Sequence, residues 1–163
     1  MSEQDYTTTI RVPAAPADVT TAVADVRGWW GADVQGGTSR VGDVFDYDVD
    51  GIHHSRIRVE EAVPGERVVW RVLENHLAFV QDQSEWVDTT IRFVLSPVDG
   101  GTELTFTHVG LVPSYECYDV CFDAWGFYIR TSLDELIRTG VGRPHRSGEN
   151  GPREEDVRAM LAQ

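Results

Sequence analysis

Five consecutive segments in the middle of the chain alternate wet and dry side chains, and one long, apolar-striped helical segment follows them. That order constrains the fold more than any other feature. Asp43 to Val49 sets Phe45, Tyr47 and Val49 on one face. Asp50-Gly51 is a hairpin signal, and in the next run, Ile52 to Val63, Ser55, Ile57 and Val59 oppose Arg56, Arg58 and Glu60. After Pro64-Gly65, Arg67 to His76 points Val68, Trp70 and Val72 inward; the same alternation carried on puts Glu74 and His76 there as well. Leu77 to Ser84 reads as a loop. Trp86 to Leu95 carries Ile91, Phe93 and Leu95 inward and leaves Trp86 on the outer face, open to a partner copy or a neighbouring loop. Beyond Asp99-Gly100-Gly101, Thr102 to Val109 turns Leu104, Phe106 and His108 inward. One dry and one wet face per strand is the pattern of an antiparallel sheet.

Tyr115 to Thr139 predicts a helix of about 37 Å at ~1.5 Å per residue, with the stripe Tyr118, Cys121, Phe122, Trp125, Ile129, Leu133 and Leu136 and a stop at Gly140. Ahead of the sheet, Tyr6 to Val12 reads as a strand. Pro16 and Asp18 open a short helix with the face Val19, Ala22, Val23 and Val26, and Trp29-Trp30 belong to a second turn of helix. Only the long helix is large enough to cover the dry sheet face. The fold class is therefore α+β, a curved antiparallel sheet wrapped around a long C-terminal helix, with room for a small ligand between them. Residues 1–140 make that domain. Residues 141–163 read as a polar linker and a short C-terminal helix, loosely attached.

Composition removes several function classes. The chain has 163 residues with 27 Asp+Glu against 14 Lys+Arg, a net charge of −13 that disfavours phosphate backbones and so nucleic acid. All the cations are Arg, so Schiff-base lysines, Ser-Lys dyads and P-loop lysines are excluded. No apolar run is long enough to span a membrane, and the start, Met1-Ser2-Glu3-Gln4-Asp5, is unlike a signal peptide; the expected address is the cytoplasm. Cys117 and Cys121, four apart on a helix, suit free thiols better than a disulfide.

Certain residues carry a family resemblance: Trp29-Trp30, Gly42-Asp-Val-Phe45, Pro64-Gly65-Glu-Arg-Val-Val-Trp70, Gly100-Gly-Thr-Glu-Leu-Thr-Phe-Thr-His108-Val-Gly110, and Trp125 with Ile129, Leu133 and Leu136. Over Tyr6 to Gly140 the chain resembles the START-like, or helix-grip, superfamily (SRPBCC, Bet v 1-like). Within it, the chain most resembles domains related to the activator of heat-shock protein 90 ATPase (AHSA1-like). The resemblance implies the helix-grip fold. It leaves function open among lipid and polyketide binders, cyclases, hydrolases, stress proteins and chaperone activators. Ala15 stands where family members usually cap the first helix with Ser or Asp.

Inner-face polar residues supply the candidate chemistry. His108, Glu74 and His76 could act as an acid–base group. The rival reading of the three is structural: Glu74 and His76 at a strand end facing solvent, and His108 in a fixed hydrogen bond. Candidate ligand contacts are Tyr47, Ser55, Trp70, Thr89, Phe93, Phe106, Tyr118, Phe122, Trp125 and Ile129. His53-His54, on opposite strand faces, cannot chelate one ion. No metal and no cofactor are expected. The expected partner is a hydrophobic, mostly neutral small molecule, with cyclase- or hydrolase-like turnover in the cavity left open and a homodimer also open. The alternative is a protein-interaction or stress-regulatory module without enzymatic activity.

Overall fold

The alternating segments join into one seven-stranded sheet, every pairing antiparallel, in the order β1-β7-β6-β5-β4-β3-β2. The computed structural model describes residues 4–81, 85–149 and 151–162. The strands are β1 (Tyr6–Val12), β2 (Gln35–Gly36), β3 (Val44–Val49), β4 (His53–Val63), β5 (Arg67–Leu77), β6 (Thr90–Val98) and β7 (Gly101–Val109). β3 to β7 form a meander. The β3–β4 turn needs Gly51, whose φ of 72° few side chains tolerate. β1 lies against β7 with Tyr6 opposite His108, and α1 (Pro16–Ala24) and α2 (Val26–Trp29) carry the chain to the other edge. α1 has no side-chain cap at Ala15; Pro16 and Asp18 start it, as expected.

The covering helix is α3 (Tyr118–Phe127), a π-helical segment (Tyr128–Leu133) and α4 (Asp134–Thr139), ended by Gly140 at φ 85°. It begins at Tyr118, after the predicted Tyr115. Its first turn is capped from another part of the chain: the Glu85 carboxylate accepts the N–H of Glu116 at 3.0 Å and of Cys117 at 3.2 Å. A carboxylate there satisfies orphan donors and complements the helix dipole. The π segment widens the buried stripe, so that the consecutive pairs Tyr128/Ile129 and Ser132/Leu133 are all buried. Between helix and sheet, aromatic rings interlock edge to face: Phe45–Trp70 at 5.2 Å, Trp70–Phe93 at 4.9 Å and Phe93–Phe106 at 5.2 Å between centroids.

Two strand expectations fail for identifiable reasons. Opposite β4, Arg56 pairs with Glu74 but Ile57 with Val72, so Leu73 is an extra residue in β5. Such a bulge reverses the faces beyond it. Asn75 and Leu77 turn inward in place of Glu74 and His76, which are both exposed. Trp86 was expected on an outer strand face. It instead sits in a turn before β6, where Asp88 takes φ 66°, and it is buried at 3 % exposure. The end of the 77–84 loop, from Asp82 to Ser84, lies outside the described residues.

The segment expected as a loose tail is fastened at four points. His145 N–H donates to the Trp30 carbonyl and Ala32 N–H to the His145 carbonyl, each at 2.8 Å. Ser147 donates from N and Oγ to Asp33 at 2.8 and 2.9 Å, which pulls the Asp33 carboxyl below its usual range. In α5 (Glu154–Leu161), Val157 enters the core at 1 % exposure. Just before it, Arg153 pairs with Asp123 of α3 at 2.8 Å.

Candidate functional site

One end of the sheet–helix sandwich is not filled. Five aromatic groups from five parts of the chain make a closed ring of contacts there: Trp30 on Tyr47 (4.1 Å), Tyr47 on His53 (5.1 Å), His53 on Trp86 (4.8 Å), Trp86 on Trp125 (5.7 Å) and Trp125 back on Trp30 (4.9 Å). All five line a cavity of about 60 Å³. Cys121 and Tyr128 of the long helix complete the wall, and Glu154 and Val157 of α5 bound it on the tail side.

A chain of hydrogen bonds sets the position of Trp86. Its N–H donates to Asn75 Oδ1 at 3.2 Å, and its carbonyl accepts Thr89 Oγ1 at 2.6 Å. Thr89 Oγ1 is 2.7 Å from His108 Nε2, and Trp125 Nε1 donates to His108 Nδ1 at 3.2 Å. The indole can only donate, so Nδ1 accepts and the ring proton sits on Nε2, directed at Thr89. His108 is thus neutral and committed on both nitrogens. Burial holds its pKa down at about 3, with neighbouring His53 adding in the same direction. On the other side of Trp86, Asn75 Nδ2 donates to Ser55 Oγ at 3.0 Å, and Ser55 bonds His53 Nε2 at 2.6 Å. Burial likewise lowers His53 to about 3.

The tail side is polar. Burial raises the Tyr47 and Tyr128 phenols, each of which adds to or tempers the shift of the other. Glu154 is only 8 % exposed at its side chain; its Oε1 lies 3.4 Å from His145 Nε2. That contact raises the His145 pKa. Gly151 is required above it, since a Cβ there would stand 2.8 Å from both Glu154 Oε1 and Tyr128 Oη. Glu154 Oε2 has no partner, nor has the indole Nε1 of Trp86, and both are buried.

The sequence-expected site residues distribute unevenly. His108, Glu74 and His76 do not converge: Glu74 meets Arg56 at 3.6 Å and His54 at 3.9 Å on the outer face, and His76 is exposed there. Of the ten expected ligand contacts, Tyr47 and Trp125 line the cavity. Ser55 and Thr89 stand behind its wall. Trp70, Phe93, Phe106 and Ile129 belong to the filled core. Phe122 is 50 % exposed and packs on Tyr6 and Tyr118 on the far flank of the helix, because the inner stripe runs through Cys121, Trp125 and Tyr128. Sequence reading missed Trp30, Trp86, Glu154 and Val157 as lining residues. No periodicity connects a tail residue to a strand. Among the described residues no three His, Cys, Asp or Glu side chains are grouped to hold a metal, and no helix is long and apolar enough to cross a membrane.

An antiparallel sheet gripping one C-terminal helix, with its open space at one end, defines a helix-grip protein of the START-like class. The solution structure described as the Aha1 dimer from Colwellia psychrerythraea superposes with a TM-score of 0.69 at 22% identity, covering 85% of this chain and 99% of that one. Protein MLL2253 from Mesorhizobium loti gives 0.65 at 17%, covering 82% and 96%. DynU16, from the dynemicin biosynthetic locus, gives 0.61 at 18%, covering 86% of this chain but 49% of its own. No curated protein matches the sequence. The model of the Activator of Hsp90 ATPase homolog 1-like protein family matches residues 18–138, and the chain belongs to that family.

Proposed function

We propose that this chain binds a small organic molecule in the aromatic pocket beneath α5, at one end of the grip and not along its length. The observation that carries the reading is a ring of aromatic side chains around a partly open space, with two buried, unmatched polar atoms, Trp86 Nε1 and Glu154 Oε2, on residues that line it. Folded proteins pair nearly all such atoms, and each one left alone costs roughly 1–3 kcal/mol. A ligand supplying the missing partners would recover that energy. At about 60 Å³ the space admits a group the size of roughly four to six waters, so the buried part of the ligand is small. Any turnover in this pocket would use the proton carriers that line it: Glu154, Tyr128, Tyr47 and His53. They take the place of the expected His108, Glu74 and His76.

Thermal shift and Trp fluorescence against a panel of small alcohols, amines and carboxylic acids test the reading. Binding should raise the melting temperature and quench Trp86 and Trp125, and Val157→Trp, which fills the tail-side wall, should abolish both effects. A panel with no responding member defeats the proposal. A homodimer is a second reading, supported by the dimeric Colwellia relative; light scattering at micromolar concentration would show a mass twice that of the chain, and a monomer mass would end it.

A further inference from the structure

We infer that the pocket selects a protonated alkylamine, with its N–H⁺ donating to Glu154 Oε2 and its alkyl groups against the aromatic ring. The inference rests on the pocket being a ligand site and adds the charge of the ligand. Three independent observations support it. First, the unmatched acceptor is a carboxylate oxygen on a side chain more than nine-tenths buried, and its sister oxygen is already engaged by His145. A carboxylate can only accept unless protonated, so the group it lacks is a donor. A cationic donor makes the stronger bond.

Second, the walls are π faces and edges. Trp30, Tyr47, Trp86 and Trp125 line the same space as Glu154, and aromatic rings around a desolvated site are the surroundings in which alkylammonium groups gain most over neutral ones. His53, the fifth member of the ring, is held neutral at ordinary pH and adds no repelling charge. The described pocket lining contains no Arg. Third, the chain carries a net charge of −13, a field that concentrates cations near its surface and repels anions. The expectation of a neutral ligand followed from an inner face without Arg. Glu154 changes that inventory because it arrives from the tail.

The experiment compares isopropylammonium with its neutral counterpart isopropanol at pH 7, by calorimetry or Trp quenching on the full chain. The cation should bind roughly tenfold or more tightly than the alcohol. Glu154→Gln should remove that preference, bringing the two affinities together, and a native Trp emission spectrum of the unliganded variant shows that the pocket survives the substitution. Glu154→Asp, keeping the charge, should retain part of the preference; it serves as the deciding variant if the Gln protein does not fold. Equal affinity for the two ligands in the wild-type protein, or a cation preference that persists in Glu154→Gln, overturns the amine assignment and leaves the pocket standing. Binding of neither ligand while other small organic molecules bind overturns it too. If nothing binds at all, the pocket reading falls with it.

Discussion

At the α1 end of the grip, Trp29, Trp70, Phe45, Phe93 and Phe106 interlock with no exposed surface, and among the described residues the only buried, unmatched side-chain polar atom there is Trp70 Nε1. At the tail end, Trp30, Tyr47, His53, Trp86 and Trp125 use the same ring chemistry to surround a space, with a carboxylate and an indole N–H in its wall. The difference lies in what closes each end. Bulky side chains of one sheet and one helix meet directly in the first. In the second, a turn (residues 85–89) and a tail (residues 141–149 and 151–162), each fastened by polar contacts, close around a gap. Packing density at the filled end gives stability; the looser end gives up some of it and keeps a space.

The largest expected effect probes the filled end. Trp70→Ala should cost roughly 3–5 kcal/mol in urea denaturation, as a large cavity that its neighbours cannot close. Trp70→Phe should cost much less, because it also removes the unmatched indole N–H. At the tail end, Val157→Ala should cost roughly 1–3 kcal/mol, since only one small side chain is lost there. Equal losses for Trp70→Ala and Val157→Ala would erase the distinction between the two ends.

The second effect concerns the sheet wall of the pocket. His108 has a native pKa of about 3 against an ordinary value of 6.5. The unfolded chain therefore takes up a proton on His108 near pH 6.5 and the native chain does not until about pH 3. Stability is full above 6.5 and falls as pH drops through that window, by up to about 1.4 kcal/mol per unit from this one group. His53 acts with the same sign, and less strongly because part of its surface is open. The denaturation midpoint should fall between pH 6.5 and 4.5, and His108→Gln should flatten that slope at some cost in stability at pH 7. An unchanged slope in the variant would show that His108 is not the buried neutral group that its partners Thr89 and Trp125 imply.

Much of the fold was readable from the chain, and the reasons are local. Alternation in Phe45/Tyr47/Val49 and Leu104/Phe106/His108, the Asp50-Gly51 turn and the helix stop at Gly140 are all set by neighbours in sequence. The site was readable only where it lies on regular strands or the helix, as with Tyr47 and Trp125. Its other members depend on irregularities with no periodic signature. One extra residue, Leu73, turns Asn75 in and Glu74 and His76 out. A turn at Asp88 swings Trp86 under the helix. The π segment lets Tyr128 and Ile129 both be buried. Glu154 reaches the pocket, with His145 behind it, where His145 pairs with the backbone on either side of Gly31. Where a residue's orientation is decided by chain segments a hundred positions away, spacing in the sequence carries no information about it.

The smallest effect belongs to the tail wall and has the opposite sign. His145 has its pKa raised, chiefly by its hydrogen bond to Glu154 and against the desolvation that opposes the charge. A raised pKa means that the folded state holds the proton more tightly than the unfolded one. The pair's contribution is thus fully present below pH 6.5 and is lost as pH rises through the native value above it. The contact is long, at 3.4 Å, so the loss should be about 1 kcal/mol or less. It should also be confined to the tail end: between pH 6.5 and 8.5, amide protection factors, which are rates divided by the base-catalysed intrinsic rate, should fall around residues 145–157 and stay constant in β5 to β7. His145→Asn should make the tail's protection factors independent of pH in that range. A fall in protection spread evenly over sheet and tail would mean that base weakens the whole fold, and that the two ends do not answer to pH separately.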